Sequence, residues 1–161
     1  MKLNEGVEWA IHCCSILAAL PPKTALPAKR LAGFFELPVH YLAKHLQSLS
    51  VAGLLKSSKG PGGGYWLAKP AKDIAVLDIV QAIDGHGAHF QCTQIRQNGP
   101  TAVAAKCYNK PCGIARTMWQ AETAWRKELA AVSLADIQQL GLEETPPQQL
   151  EKSLQWFEQV I

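Results

Sequence analysis

Long apolar runs are missing from this chain. No segment is extended and uninterrupted enough to cross a bilayer. Lys2 precedes an apolar stretch, as in a secretory leader, but Glu5, Glu8 and His12 interrupt it. A disulfide framework is missing too. The five cysteines are an odd number, and Cys13 and Cys14 are adjacent inside a helical pattern. That usage fits a reducing compartment and predicts a cytoplasmic protein. Internal repeats and low-complexity tracts are absent. So are the usual marks of catalysis: no glycine-rich phosphate loop follows a strand, no nucleophile elbow occurs, and no second catalytic set lies near the cysteines. The expectation is a protein that is not an enzyme.

What is present is enough for one domain with an ordinary core and room for an extension, in 161 residues. The formal charge of +3 is unevenly spread. Residues 1–80 hold nine Lys/Arg against five Asp/Glu, whereas residues 133–161 hold one Lys against five acids. A basic front suits a nucleic-acid partner, although the same imbalance also arises for solubility alone.

Apolar spacing predicts the elements. Val7, Ala10, Ile11, Cys14, Leu17 and Ala18 place a helix over 6–20, closed by Pro21 and Pro22. A second short helix runs over 27–35. A third, 38–50, opens with Pro38 but has no capping Ser, Thr, Asp or Asn. On it Leu42, Leu46 and Leu49 face inward, leaving His40, Tyr41 and Lys44 outside, with His45 or Gln47 as further outward candidates. The stretch KSSKGPGGGYWLAKP, Lys56 to Pro70, reads as a β-hairpin with Gly60, Pro61, Gly62, Gly63 and Gly64 at its tip and Lys59 beside them. Two helices followed by a basic glycine hairpin describe a winged helix-turn-helix. His40, Tyr41, Lys44, Lys59, Gly60, Gly62 and Gly63 are therefore the candidate contacts to double-stranded DNA, against the plainer reading of a solvated polar face. The fold class is mainly α with a small β-hairpin.

Domain boundaries follow from the same pass: a DNA-binding unit over 1–84, an irregular loop over 85–112, a long helix and following segment over 113–140, and an amphipathic helix over 141–161. A fourth helix over 75–84 completes the first unit. In the long helix, 113–132, Ile114, Met118, Ala121, Trp125 and Leu129 form a stripe. In the tail, Thr145 is the expected cap, Pro146 the first helical residue and Gln148 the partner of a capping box. Leu150, Leu154, Phe157 and Ile161 are its expected apolar face.

Two small clusters carry possible metal chemistry. Glu8 and His12, four apart on the first helix, project from one face. Cys107 and Cys112 flank a tight turn in KCYNKPCG that leads into a helix, where the dipole favours a thiolate. Glu8 and His12 alone read as an exposed ion pair, and the two cysteines alone as a metal or redox site. Together the four make a complete ligand set that a structural zinc would also accept. Cys92, with fourteen residues between it and Cys107, is assigned as a buried or free thiol, and Cys13 and Cys14 as packing residues. Trp9, between the two helix ligands, is a candidate switch as well as an ordinary core aromatic.

The segment AKRLAGFFELPVHYLAKHLQSLSVAGLLKSSKGPGGGYWLAKP, with its YLxKxLxxLxxAGLL phrase and glycine wing, resembles the Rrf2 family of bacterial transcription regulators. The likeness extends to about Leu140. GVEWAIHCC and the late cysteine pair look closest to that family's redox-sensing iron–sulfur member RsrR. The resemblance implies a homodimer paired through the long helix, and an inverted-repeat operator. It places positions 40, 43 and 44 in the DNA groove, the second being Ala43 here. It also implies a 2Fe–2S cluster held by Glu8 and His12 of one subunit and Cys107 and Cys112 of the other, whose redox state or presence controls operator affinity. Histidine ligation would raise the cluster potential and couple it to protons. A regulator without a cluster, sensing thiol oxidation or a small ligand or holding zinc, is the alternative.

Overall fold

The computed structural model describes residues 3–160, and Ile161, expected in the tail's apolar face, lies outside them. Helix α1 (Glu5–Ala19) starts at Asn4, whose Oδ1 accepts the Gly6 amide at 2.8 Å. It buries Gly6, Val7, Ala10, Cys13, Cys14 and Leu17 along one stripe. Helices α2 (Ala28–Phe34) and α3 (Val39–Val51) form the helix-turn-helix. No side chain caps α3. The Pro38 carbonyl instead accepts the amides of Tyr41 and Leu42, so the proline stands just outside the helix rather than in its first turn. Leu42, Leu46 and Leu49 are fully buried. Each such leucine contributes roughly 1.5–3 kcal/mol by leaving water.

The AGLL phrase has a local cause. Ala52 ends α3, the Gly53 amide donates to Ser50 O at 3.0 Å, and the Leu54 amide donates to Leu49 O at 2.9 Å. This paired closure satisfies carbonyls that a helix end otherwise leaves open, and it delivers Leu54 and Leu55 into the core.

The wing is β1 (Leu55–Ser58) paired antiparallel with β2 (Gly64–Leu67), in the register Leu55↔Leu67 and Ser58↔Gly64. Gly64 belongs to the second strand, not to the tip. The backbone of Leu26 lies where its Cβ would stand, because Leu26 and Tyr65 exchange two amide bonds at 3.0 and 2.9 Å. The tip itself closes when the Gly63 amide donates to Gly60 O at 2.9 Å.

Helix α4 (Val76–Asp84) returns across α1 and α3. The loop to residue 112 contains two short 3₁₀ turns, Ile95–Gln97 and Ala105–Cys107. Helix α5 (Gly113–Ala131) divides its expected stripe. Trp125 and Leu129 pack against Val7, Val76 and Val80, whereas Ile114 and Met118 stay exposed. Helix α6 (Leu134–Glu144) was not resolved as an element by periodicity. Ser133 and Asp136 close its N-terminus reciprocally, at 3.1 and 2.8 Å.

Two details of the tail are corrected. Thr145 finishes α6, its hydroxyl donating to Gly141 O at 2.6 Å, and α7 runs Pro147–Val160. The inward face of α7 is Trp156, Phe157 and Val160, while Leu154 is exposed. The reason is aromatic. Trp156 meets Phe34 edge-to-face at 4.7 Å, and Phe34 meets Phe35 at 4.7 Å. Such pairs are worth about 0.5–1.5 kcal/mol each beyond area burial.

Candidate functional site

The polar residues expected to meet DNA are mostly exposed. His40, Tyr41 and Lys44 project outward from α3, and Tyr41 is 62% exposed. Lys44 Nζ sits 5.8 Å from the Tyr41 ring centre, so the ring steadies the cation without neutralising it. Lys59, Gly60 and Gly62 are exposed at the wing tip and Gly63 is half-covered. Lys56 on β1 and Lys29 and Arg30 on α2 add exposed positive charge that motif reasoning had not singled out. Their signal was only their place on the basic front.

His45 does not join that surface. It is half-buried over α1, where its ring occupies the space a Cβ on Gly6 would need. Its ring lies edge-on to Trp9, 6.0 Å between centroids. Burial, reinforced by the Lys44 charge, holds the His45 imidazole below its ordinary range. The recognition helix and α1 therefore meet at a joint made of Gly6, Trp9 and His45.

Glu8 and His12 are both exposed and border one shallow depression with Leu3, Asn4 and Ile11. The His12 ring also lies 5.3 Å from Phe35. Elsewhere, Cys112 stands at the N-terminus of α5. The nearby amides of Ala115 and Ile114 hold the thiol below its ordinary range, helped by the Arg96 charge and the neighbouring Cys92. Cys92 and Cys112 share a cavity of about 330 Å³ with Phe90, Arg96 and Ile114. Cys107 is exposed and does not line it. The loop thus brings Cys92 against Cys112, a proximity that spacing had hidden. Cys13 and Cys14 are fully buried, and desolvation pushes the Cys13 thiol up to about 12 and that of Cys14 higher.

Among the described residues of one chain, no three His, Cys, Asp or Glu side chains converge as a metal site. Glu8 with His12, and the cysteine loop, are two separate clusters.

Known proteins share this chain's sequence pattern and fold. The Rrf2 family, described as iron-dependent transcriptional regulators, matches residues 3–139. Protein rrf2 of Nitratidesulfovibrio vulgaris is 34% identical over 138 residues, covering 85% of this chain and 87% of that protein. Among solved structures, CymR, the global cysteine regulator of B. subtilis, superposes with a TM-score of 0.65 at 23% identity, over 87% of this chain and 98% of that one. IscR of T. potens gives 0.66 at 21% identity, over 91% and 93%. At such identities the two structures speak for the fold, which is that of winged-helix regulators.

Proposed function

We propose a cluster-controlled operator-binding role for this chain, which belongs to the Rrf2 family of DNA-binding transcription regulators. In this reading it acts as a homodimer, and its affinity for an inverted-repeat operator depends on a 2Fe–2S cluster shared between subunits. Glu8 and His12 of one copy and Cys107 and Cys112 of the other hold that cluster, an arrangement like that of RsrR. When bound, the cluster supplies a one-electron change of charge.

The observation that carries the reading is the separation of two incomplete half-sites. A carboxylate and an imidazole stand free on α1, and a thiol already biased toward thiolate opens α5. The donor chemistry fits an iron–sulfur group, which needs deprotonated sulfur and accepts imidazole nitrogen. A second copy has apolar side chains to cover: Ile95 is 75% and Ile114 69% exposed, and Val103, Met118 and Trp119 are exposed as well, in the loop and the first turns of α5. Exposed apolar side chains of this kind are commonly covered by a partner.

The protein's own parts then divide the work. His40, Tyr41, Lys44 and Lys59 contact DNA. Trp9 and His45 link the ligand-bearing helix to the recognition helix, so rearrangement beside Glu8 and His12 reaches α3 through ring contact. Coupling of this kind requires that the two cluster states favour different positions of the joint.

Anaerobic purification tests this. The dimer should be coloured, its visible absorption should bleach on reduction, and iron should approach two per subunit. The cavity shared by Cys92 and Cys112 favours one other reading, a regulator that senses thiol oxidation without metal. Colourless protein with a Cys92–Cys112 disulfide after peroxide treatment would establish that reading instead. Bound zinc would mark a structural site.

A further inference from the structure

The outer edge of the wing stops pairing where a cavity begins. Tyr65 turns its amide and carbonyl away from β1 and exchanges both bonds with Leu26, at 2.9 and 3.0 Å. Backbone groups alternate in direction along an antiparallel strand, so those of Leu67 point the same way as those of Tyr65. The Leu67 amide nevertheless meets no acceptor among the described residues. The chain that runs opposite has been turned aside. Pro22 and Lys23 form a turn, closed by the Thr24 amide donating to Pro21 O at 3.0 Å. Lys23 adopts φ 66° there, a left-handed conformation that glycine takes freely and a lysine disfavours.

The gap between turn and strand is a cavity of about 320 Å³, at the small end of ligand sites. Leu17, Leu20, Trp66 and Leu67 give it an apolar lining, Lys23 and Lys69 are its charged members, and no carboxylate lines it. Neither lysine is firmly paired. Lys69 Nζ is 4.0 Å from Asp78, with the two side chains 41% and 42% exposed, and that carboxylate already accepts the Ala75 amide at 3.0 Å. An exposed pair of this kind holds a cation weakly. Lys23 has no carboxylate within ion-pair reach among the described residues.

We propose that this cavity is a binding site for a small apolar carboxylate, its hydrocarbon body against Leu17, Leu20 and Trp66 and its charge between Lys23 and Lys69, where it also accepts the Leu67 amide. A carboxylate suits the place because its two oxygens accept several donors at once and its charge is the one that two lysines without a lining acid favour. None of Glu8, His12, Cys107 and Cys112 lines the cavity, so the inference stands apart from the cluster reading.

The test is a calorimetric titration of the full-length protein with hydrocinnamate, run beside hydrocinnamamide, which keeps the phenyl body and removes the charge. Hydrocinnamate should bind saturably, and the amide about fivefold more weakly. Lys23→Met and Lys69→Met should each weaken hydrocinnamate about fivefold, the upper end for exposed charge pairs. Lys152→Met, on α7 and outside the cavity, should bind like wild type. In hydrogen exchange followed by NMR, saturating hydrocinnamate should slow the Leu67 amide severalfold. Absence of saturable binding overturns the proposal. So does equal affinity for the amide, or wild-type affinity in either lysine variant. An equal loss in Lys152→Met would reduce the effect to overall charge and overturns it too. An unmoved Leu67 amide places the ligand elsewhere, and this readout needs no variant, so it decides if a substitution unfolds the chain. Failure here leaves the cluster reading untouched, and a colourless protein leaves this inference untouched.

Discussion

Residues 5–84 and residues 85–118 are held by different forces. The first region is sealed by apolar burial: Leu31, Leu42, Leu46, Leu49 and Ile79 have no exposed surface, and Cys13 and Cys14 lie among them. The second is held by a few directional contacts, Arg96 to Lys110, Tyr108 to Arg96, Trp119 to Phe90 and Arg126 to Gly87, while its large apolar side chains face outward. The same residue type consequently has opposite chemistry in the two places. Desolvation keeps the helix cysteines protonated, and amide dipoles favour the thiolate of Cys112. Reactivity here is assigned by the fold rather than by the cysteine.

The sharpest way to break that contrast is to delete one sulfur from each region. Cys112→Ala or Cys107→Ala should abolish the visible chromophore of anaerobically reconstituted protein, whereas Cys14→Ala and Cys92→Ala should keep it. Loss of colour in Cys92→Ala with retention in Cys107→Ala would mean that the Cys92–Cys112 contact, not the Cys107–Cys112 turn, defines the ligand pair.

A second comparison uses pH in metal-free protein. Because the folded Cys112 pKa is depressed, its thiolate survives as pH falls below the ~8.5 of a free thiol. Mass-resolved iodoacetamide labelling at pH 7 should therefore modify Cys112 several-fold faster than the same residue in urea. Cys13 and Cys14 should behave oppositely, reacting only once the chain unfolds. Equal rates before and after unfolding would erase the distinction.

The two regions communicate in our reading through α1. Trp9→Ala should retain the cluster and lose most of the difference in operator affinity between oxidised and reduced protein, measured by anisotropy. Undiminished redox dependence would send the signal through the cysteine loop and α5 instead. The smallest expected effect is at the wing. Lys59→Ala should weaken operator binding and lower the slope of log K against log salt by about one, as loss of one phosphate contact does. An unchanged slope removes the wing tip from the contacts.

Much of the first region was readable in advance because its causes are local. Leucines at 42, 46 and 49 set one face, Pro21 ends α1, and Ala52-Gly53 closes α3. Helix α6 escaped although Leu134 and Ile137 give it an apolar start and Ser133-x-x-Asp136 was a usable start signal. The tail's cap was misplaced because Thr145 serves the helix before it. His45 was a candidate for the outer face because only the missing side chain of Gly6, thirty-nine residues earlier, lets it turn inward. The meeting of Cys92 with Cys112 depends on a loop closed by tertiary hydrogen bonds, which leave no period in the sequence.

The bridge between Leu26 and Tyr65 has a consequence for how this protein would find its site. Two amide bonds tie the wing's second strand to the residues entering α2, while β1 follows directly from α3. Wing and helix pair thus move as one body, and a finger that would otherwise wave in solution is fixed before DNA arrives. The ordering entropy of that finger is spent during folding rather than on the operator, so docking loses fewer degrees of freedom. A loosened bridge would leave the contact residues in place and slow no chemistry, yet it would weaken every operator alike, through disorder in the free protein.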